Sequence, residues 1–246
     1  DTYTINGLLT NGTDNPKTAK NQHAGMTRCV SMLPHTLGGI GNLCPHADDC
    51  ALSCLAFTGR GSLPTTHRAR LARTMVFQLA RDWAIDRITQ QLTTAQRAAD
   101  RKGEKLFVRL NMLTDFPWES TGIIDAFPLI NFYDYTKNPK RAGLVRSNYW
   151  VTFSRGSSND SAVSEVLERG CNVAAVFHNA SGSCGRYAHQ QTLPARIRFA
   201  GVAYNVIDGG LTDLRQYDQR DRRHGGRSAV GPVIVGLRLL AHTRVK

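Results

Sequence analysis

Seven short apolar runs, counting one hairpin as a single run, punctuate this chain, and the intervals between most of them read as helix or tight loop. The runs are "TRCVSML" (27–33), "KLFVRLNML" (105–113), "INFYDYT" (130–136), "YWVTFS" (149–154), "CNVAAVF" (171–177), the hairpin-like "ARIRFAGVAYNVIDGG" (195–210) and "PVIVGLRLL" (232–240). Strand and helix in alternation favour a mostly parallel sheet wrapped by helices. The expected fold class is therefore α/β, a partial or open (β/α) barrel, which suits seven strands better than a six-strand Rossmann sheet. No G-x-G-x-x-G follows a strand and no phosphate-binding G-x-x-x-x-G-K-[ST] loop exists, so those two routes to nucleotide binding are excluded.

Between the first two strands the pattern turns helical from Thr66. Ala72, Met75, Leu79, Trp83, Ile88, Leu92, Ala95 and Ala99 recur at steps of about three and four, and Gly103 stops the run. One long helix, or two broken near Thr93-Thr94, would satisfy it. "SNDSAVSEVLERG" is a further helix with a polar cap and a glycine stop. The first 27 residues, polar and rich in Asn, Thr and Gly, read as an irregular arm, and 28–246 as a single β/α domain.

No apolar run approaches the ~20 residues that span a bilayer, and the beginning of the chain lacks a secretory pattern. A cytoplasmic protein without membrane association is expected. The formal net charge of +12 favours a polyanionic partner, nucleic acid first among them.

The chemistry concentrates in "CPHADDCALSCLAFTGRG", which sets Cys44, Cys50 and Cys54 within eleven residues. A helical turn would put Cys50 and Cys54 on one face, and Pro45 can bend Cys44 over them. Three thiolates without an adjacent fourth ligand suit an iron–sulfur cluster with one open iron. Zinc would draw a fourth ligand from His46, His35 or the more distant Cys29. A redox pair, or reduced thiols packed as small hydrophobes, are the remaining readings.

Loops after the carboxyl ends of parallel strands form the active face of such folds. The cysteines follow the first strand, so the ends of the next strands should join them: Asn111, Thr114 and Asp115; Asp134, Thr136 and Lys137; Ser154 and Arg155. Lys137 and Arg155 suit a carboxylate or phosphate, and Asp115 an ammonium group. Two basic clusters are candidates for phosphate contacts: Arg68, Arg70 and Arg73 in "THRARLAR", and Arg215, Arg220, Arg222, Arg223 and Arg227 in "DLRQYDQRDRRHGGR".

The ordered series "LCPHADDCALSCLAFTGRG", "ARLARTMVF", "VRLNMLTDFPWE", "INFYDYTKNPKR", "NYWVTFSRGSSND", "CNVAAVF", "VIDGGLTDLRQYD" and "VIVGLR" resembles a phage- and plasmid-borne family, the gene product 88-like proteins, over about residues 28–240. That resemblance implies a phage or mobile-element origin, hence the host-cell cytoplasm, and no particular activity. More loosely, the layout is similar to radical S-adenosylmethionine proteins, in which three cysteines follow the first strand of a partial barrel. The likeness implies a [4Fe-4S] cluster on Cys44, Cys50 and Cys54, S-adenosylmethionine held among Asn111, Thr114, Asp115, Lys137 and Ser154, and a nucleic-acid-related substrate. The chain departs from that pattern in two ways. The C-x3-C-x2-C spacing is replaced by C-x5-C-x3-C, and Leu55 stands where an aromatic residue is common. The competing expectation is a non-enzymatic basic nucleic-acid-binding protein with structural zinc or free cysteines.

Overall fold

A computed structural model of the chain describes residues 7–52, 54–177, 192–218 and 231–238. In chain order its strands are β1 (Leu9–Asn11), β2 (Met26–Val30), β3 (Leu106–Arg109), β4 (Asn131–Thr136), β5 (Val145–Arg146), β6 (Tyr149–Ser154), β7 (Val173–Phe177), β8 (Arg196–Phe199), β9 (Val202–Asp208) and β10 (Ile234–Arg238). β-Branched and aromatic residues dominate several of these segments and suit a pleated surface. The spatial order is β1-β2-β3-β4-β6-β7-β10-β9-β8, with β5 as a short antiparallel addition to β6. From β2 to β9 every neighbour pair is parallel, while β1 and β8 run antiparallel at the edges. The edges do not pair with one another, so the sheet is an open α/β sheet and not a closed barrel.

All seven apolar runs of the sequence contain a strand. The helical stretch is two helices, α2 (Pro64–Leu79) and α3 (Arg81–Lys102), following the short α1 (Pro16–Ala19). Their break falls at Ala80 (φ −136°, ψ 58°), earlier than the Thr93-Thr94 position expected. Thr93 and Thr94 instead donate their hydroxyls to the carbonyls of Thr89 and Gln90 at 3.0 Å, which satisfies the side chains inside the helix. The early break leaves Leu79 and Trp83, read above as part of the apolar stripe, on the surface at 67% and 58% exposure. Gly103 ends α3 with φ +64°, and the Glu104 N–H bonds back to the Ala99 carbonyl at 3.0 Å.

Alternate positions of the strands face opposite layers. Leu106, Val108 and Phe132 pack against Ala84, Ile88, Leu92, Ala95 and Ala99 of α3. A second core sets Val163, Val166 and Leu167 of α5 (Asp160–Glu168), which follows the one-turn α4 (Ile123–Ala126), against Phe153, Val173 and Ile234. On the other face Phe107 and Tyr133 meet Leu214, Trp150 and Tyr217. The inner face is completed by residues expected to be an irregular arm. β1 pairs with β2, and Asn21 donates to the Tyr133 hydroxyl at 3.0 Å while accepting from the Asp213 N–H at 3.1 Å. Partners 112 and 192 residues away order this segment, so local periodicity carried no trace of it.

Candidate functional site: a cysteine pocket at the strand ends

One pocket is lined by Cys44, Cys50 and Cys54 together with His35, His46, Leu55, Arg109, Asn111, Thr114, Asp115, Tyr135, Lys137 and Ser154. These residues come from the loop after β2, the loop after β3, the end of β4 and the end of β6, so the cysteines do reach the carboxyl face of the sheet. The free space is about 150 Å³. A larger cavity of about 570 Å³ lies at the opposite strand ends, among Gly25, Gly103 and Lys105, but no cysteine lines it.

The loop carries unusual backbone. His35 (φ +37°) and Asp48 (φ +43°) are two of the three non-glycine residues with positive φ among those described, and such strain is found where surrounding structure or function demands it. Cys44 and Cys54 are buried, Cys50 is half-buried on the turn Asp48–Ala51, and none of the three is in a disulfide. Burial pushes the Cys44 thiol up to about 12, with the charges of Asp115 and Cys54 adding to the rise and the backbone N–H groups of His35 and Asp115 opposing it. Burial likewise raises Cys54, whose sulfur accepts from the Ala56 N–H at 3.5 Å. A thiol raised as far as that of Cys44 makes a poor nucleophile while it stays buried. Cys29, the distant fourth-ligand candidate, is buried in β2 and does not line the pocket.

Arg70 is also interior, at 8% exposure. Its Nε donates to Ser31 Oγ at 3.2 Å and its Nη1 to the Gly61 carbonyl at 3.4 Å. Among the described residues no carboxylate pairs with it, and the Cys54 sulfur is the principal group beside it that would favour its charge if ionised. A buried guanidinium with neutral partners is costly, and its natural complement is an anionic sulfur site. Gly61, whose carbonyl receives Arg70, packs closely on the preceding turn, where a Cβ would lie 2.7 Å from the Leu55 carbonyl oxygen.

The polar wall is more committed than its sequence suggested. Asn111 is saturated. Its amide nitrogen donates to the Phe116 carbonyl and Asp134, and its oxygen accepts from Thr114, the Phe116 N–H and Trp118 Nε1. Asp115 pairs with Arg141 and accepts from Thr136 Oγ1 at 3.0 Å and the Lys137 N–H at 2.9 Å, so it does not await an ammonium group. Arg141 is shared with Glu119. Asp134 is fully buried behind this wall, and burial raises its carboxyl to about 7. Thr114 spends its proton on Asn111, while Lys137 Nζ donates to the Ser154 carbonyl at 3.2 Å and meets no carboxylate among the described residues. Arg155 pairs with Asp160.

Arg109 and Tyr135 line the pocket but were not singled out from the sequence. Arg109 lies over the Tyr135 ring at 4.6 Å and pairs with Asp213 at 2.9 Å, and Tyr135 donates to the same carboxylate at 3.1 Å. Burial alone would raise Asp213, but the charges of Arg109, Lys17 and Arg215 hold it below the usual carboxylate range. A lone arginine inside the apolar run "KLFVRLNML" was the available signal.

Among the described residues, the basic clusters send several of their cations inward. Arg70 is buried as described. Arg73 turns its Nε to the Gly7 carbonyl at 3.0 Å, and Arg215 is buried beside Asp218 at 3.3 Å. Arg68 is exposed, and Arg220, Arg222, Arg223 and Arg227 lie outside the described residues. Among the described residues no helix is long and apolar enough to cross a membrane.

An open, mostly parallel α/β sheet with a cysteine-lined pocket at its strand ends is thus the class of protein at hand. The chain belongs to the gene product 88 family, whose sequence model matches residues 6–234. No curated protein and no solved structure matches it.

Proposed function

We propose that this is an iron–sulfur protein of a phage or other mobile element, working in the host-cell cytoplasm as a radical S-adenosylmethionine-like enzyme on a nucleic-acid-related substrate. The observation that carries the reading is the shared pocket of Cys44, Cys50 and Cys54 at the carboxyl ends of parallel strands. The donor chemistry fits: three sulfur ligands, two of them approached by backbone N–H groups and one faced by an uncompensated buried cation. As placed, no three His, Cys, Asp or Glu side chains among the described residues are close enough to share a metal ion, so the loop must draw the thiols together on binding.

If bound here, such a cluster with S-adenosylmethionine would supply one-electron reduction and hydrogen abstraction. The chain's own residues bind and orient. Lys137 offers its ammonium group to a cofactor carboxylate, and Thr114 and Ser154 line the pocket beside it. Asp115 and Asn111 act one step back, Asp115 holding the Thr136 hydroxyl and the Lys137 N–H, and Asn111 the turn after β3. The stacked Arg109 and Tyr135 close the floor toward the sheet.

Anaerobic reconstitution with ferrous iron and sulfide tests the reading. A brown protein absorbing broadly near ~400 nm is expected, with the colour lost on Cys→Ala substitution at each of the three positions. A protein that stays colourless overturns it.

The second reading is a non-enzymatic nucleic-acid-binding protein with structural zinc. The observation favouring it is His35, whose Nε2 is buried without a hydrogen-bond partner at the wall of the same pocket. A colourless protein that binds one zinc, and loses it on His35→Ala substitution, would establish that alternative.

A further inference from the structure

Between Asp49 and Asp82 the chain has no carboxylate side chain, while Arg60, His67, Arg68, Arg70, Arg73 and Arg81 fall inside that interval. The fold divides these cations. Arg70 and Arg73 turn to backbone and hydroxyl oxygens, and Arg81 lies over the Phe77 and Phe116 rings at 5.4 and 5.5 Å. Arg60 and Arg68 stand exposed and form no ion pair among the described residues.

The apolar side chains around them are equally unspent. Leu52, Leu55, Phe57 and Leu63 are 88%, 43%, 38% and 48% exposed. Single exposed apolar residues are ordinary, but four within twelve positions, one of them in the pocket wall, mark a contact surface. Leu55 belongs both to this surface and to the pocket wall, so the two are continuous.

We propose that the lip formed by Leu55, Phe57, Arg60, Leu63 and Arg68 is a docking surface for single-stranded nucleic acid, with Arg60 and Arg68 on backbone phosphates and Phe57 stacked on a base. Cationic side chains that follow a backbone, beside an aromatic face, are the means by which single strands are held without sequence readout. The absence of carboxylates over the interval removes the repulsion that a polyanion would otherwise meet. A single strand presents phosphates and bases together, whereas a flat anionic membrane offers phosphates but no base for Phe57. The proposal rests on the nucleic-acid-related substrate proposed above and assigns that substrate its entry surface.

Fluorescence anisotropy of a labelled 15-residue deoxythymidine oligonucleotide, titrated at several potassium chloride concentrations, tests it. The double variant Arg60→Ala/Arg68→Ala lowers the salt slope by about 1.4, two phosphate contacts at ~0.7 each on a single strand. Phe57→Ala weakens binding by roughly 5- to 160-fold while leaving the slope unchanged, because stacking is not ionic. The control Arg87→Ala/Arg97→Ala removes the same charge from exposed positions of α3 and keeps the slope. Equal losses in the control pair, an unchanged slope in the first pair, or uptake by phosphatidylserine vesicles in place of the oligonucleotide each overturn the proposal. The titrations are made on protein both before and after iron–sulfur reconstitution. Lip-dependent binding by a chain that takes up no iron leaves this surface standing while the cluster falls, and a brown protein without such binding does the reverse.

Discussion

Arg109 on β3 and Asp213, in the segment that leads from β9 toward β10, form a buried ion pair at 2.9 Å across 104 residues of chain. Tyr135 donates to the free oxygen of the same carboxylate, and its ring lies under the guanidinium. The pair fixes the 212–217 segment over the inner face of the sheet and makes the floor of the cysteine pocket a charged, hydrogen-bonded surface.

Asp213→Ala leaves Arg109 buried without its counter-charge and should cost about 3–5 kcal/mol in urea unfolding. Arg109→Met/Asp213→Leu should recover most of that loss. The wild-type carboxyl is held below its unfolded value, so its stabilisation is present above about pH 4 and disappears as the pH falls through the folded value. An acid-unfolding curve for the double variant should lack that component.

Asp134 has the opposite sign. Its folded carboxyl is raised to about 7 by burial, so between about pH 4 and 7 the unfolded chain releases a proton that the folded chain keeps. This group therefore lowers stability as the pH rises through that window and contributes no further slope above it. Chemical unfolding at pH 4.5, 6 and 7.5, each value chosen from that window or just beyond it, should show the decline in the wild type and a flatter profile in Asp134→Asn.

Arg70→Gln should separate folding from metal binding. Removing a buried cation with neutral partners leaves the metal-free protein within about 1 kcal/mol of the wild type. The same change removes the positive charge facing the sulfur site and should weaken cobalt(II) binding by roughly tenfold, read from its thiolate charge-transfer absorption.

Gly61→Ala places a methyl group 2.7 Å from the Leu55 carbonyl, where backbone must yield. A loss of about 1–3 kcal/mol is expected from such overpacking. Because the Gly61 carbonyl also receives Arg70, cobalt(II) binding should fall together with the melting temperature.

Most of the central strands were legible because they bury an apolar run, whereas the short β1 and β5 lie outside every such run, and alternation with helices favours parallel pairing wherever it occurs. The placement of the cysteine loop was legible for a related reason: a loop that follows a parallel strand emerges at the carboxyl edge. Charge was less informative about partners. Arg68, Arg70 and Arg73 look alike in "THRARLAR", yet helical geometry sends one to water and two to oxygens of the protein. Asn111 and Asp115 read as open ligands because their saturating partners, Trp118 and Arg141, arrive through turns that leave no periodic signal.

The amino-acid sequence by itself determined the α/β class, the seven strand-bearing runs and the position of Cys44, Cys50 and Cys54 after the first parallel strand. These follow from local patterning, whose period is set by the backbone. Tertiary structure alone decided that β10 lies between β7 and β9, that the first residues complete the inner face, and which cations are spent inside. Those outcomes depend on contacts that only the folded backbone assembles, from tens to nearly two hundred positions apart, where burial and the available partner decide whether a charge faces water or protein.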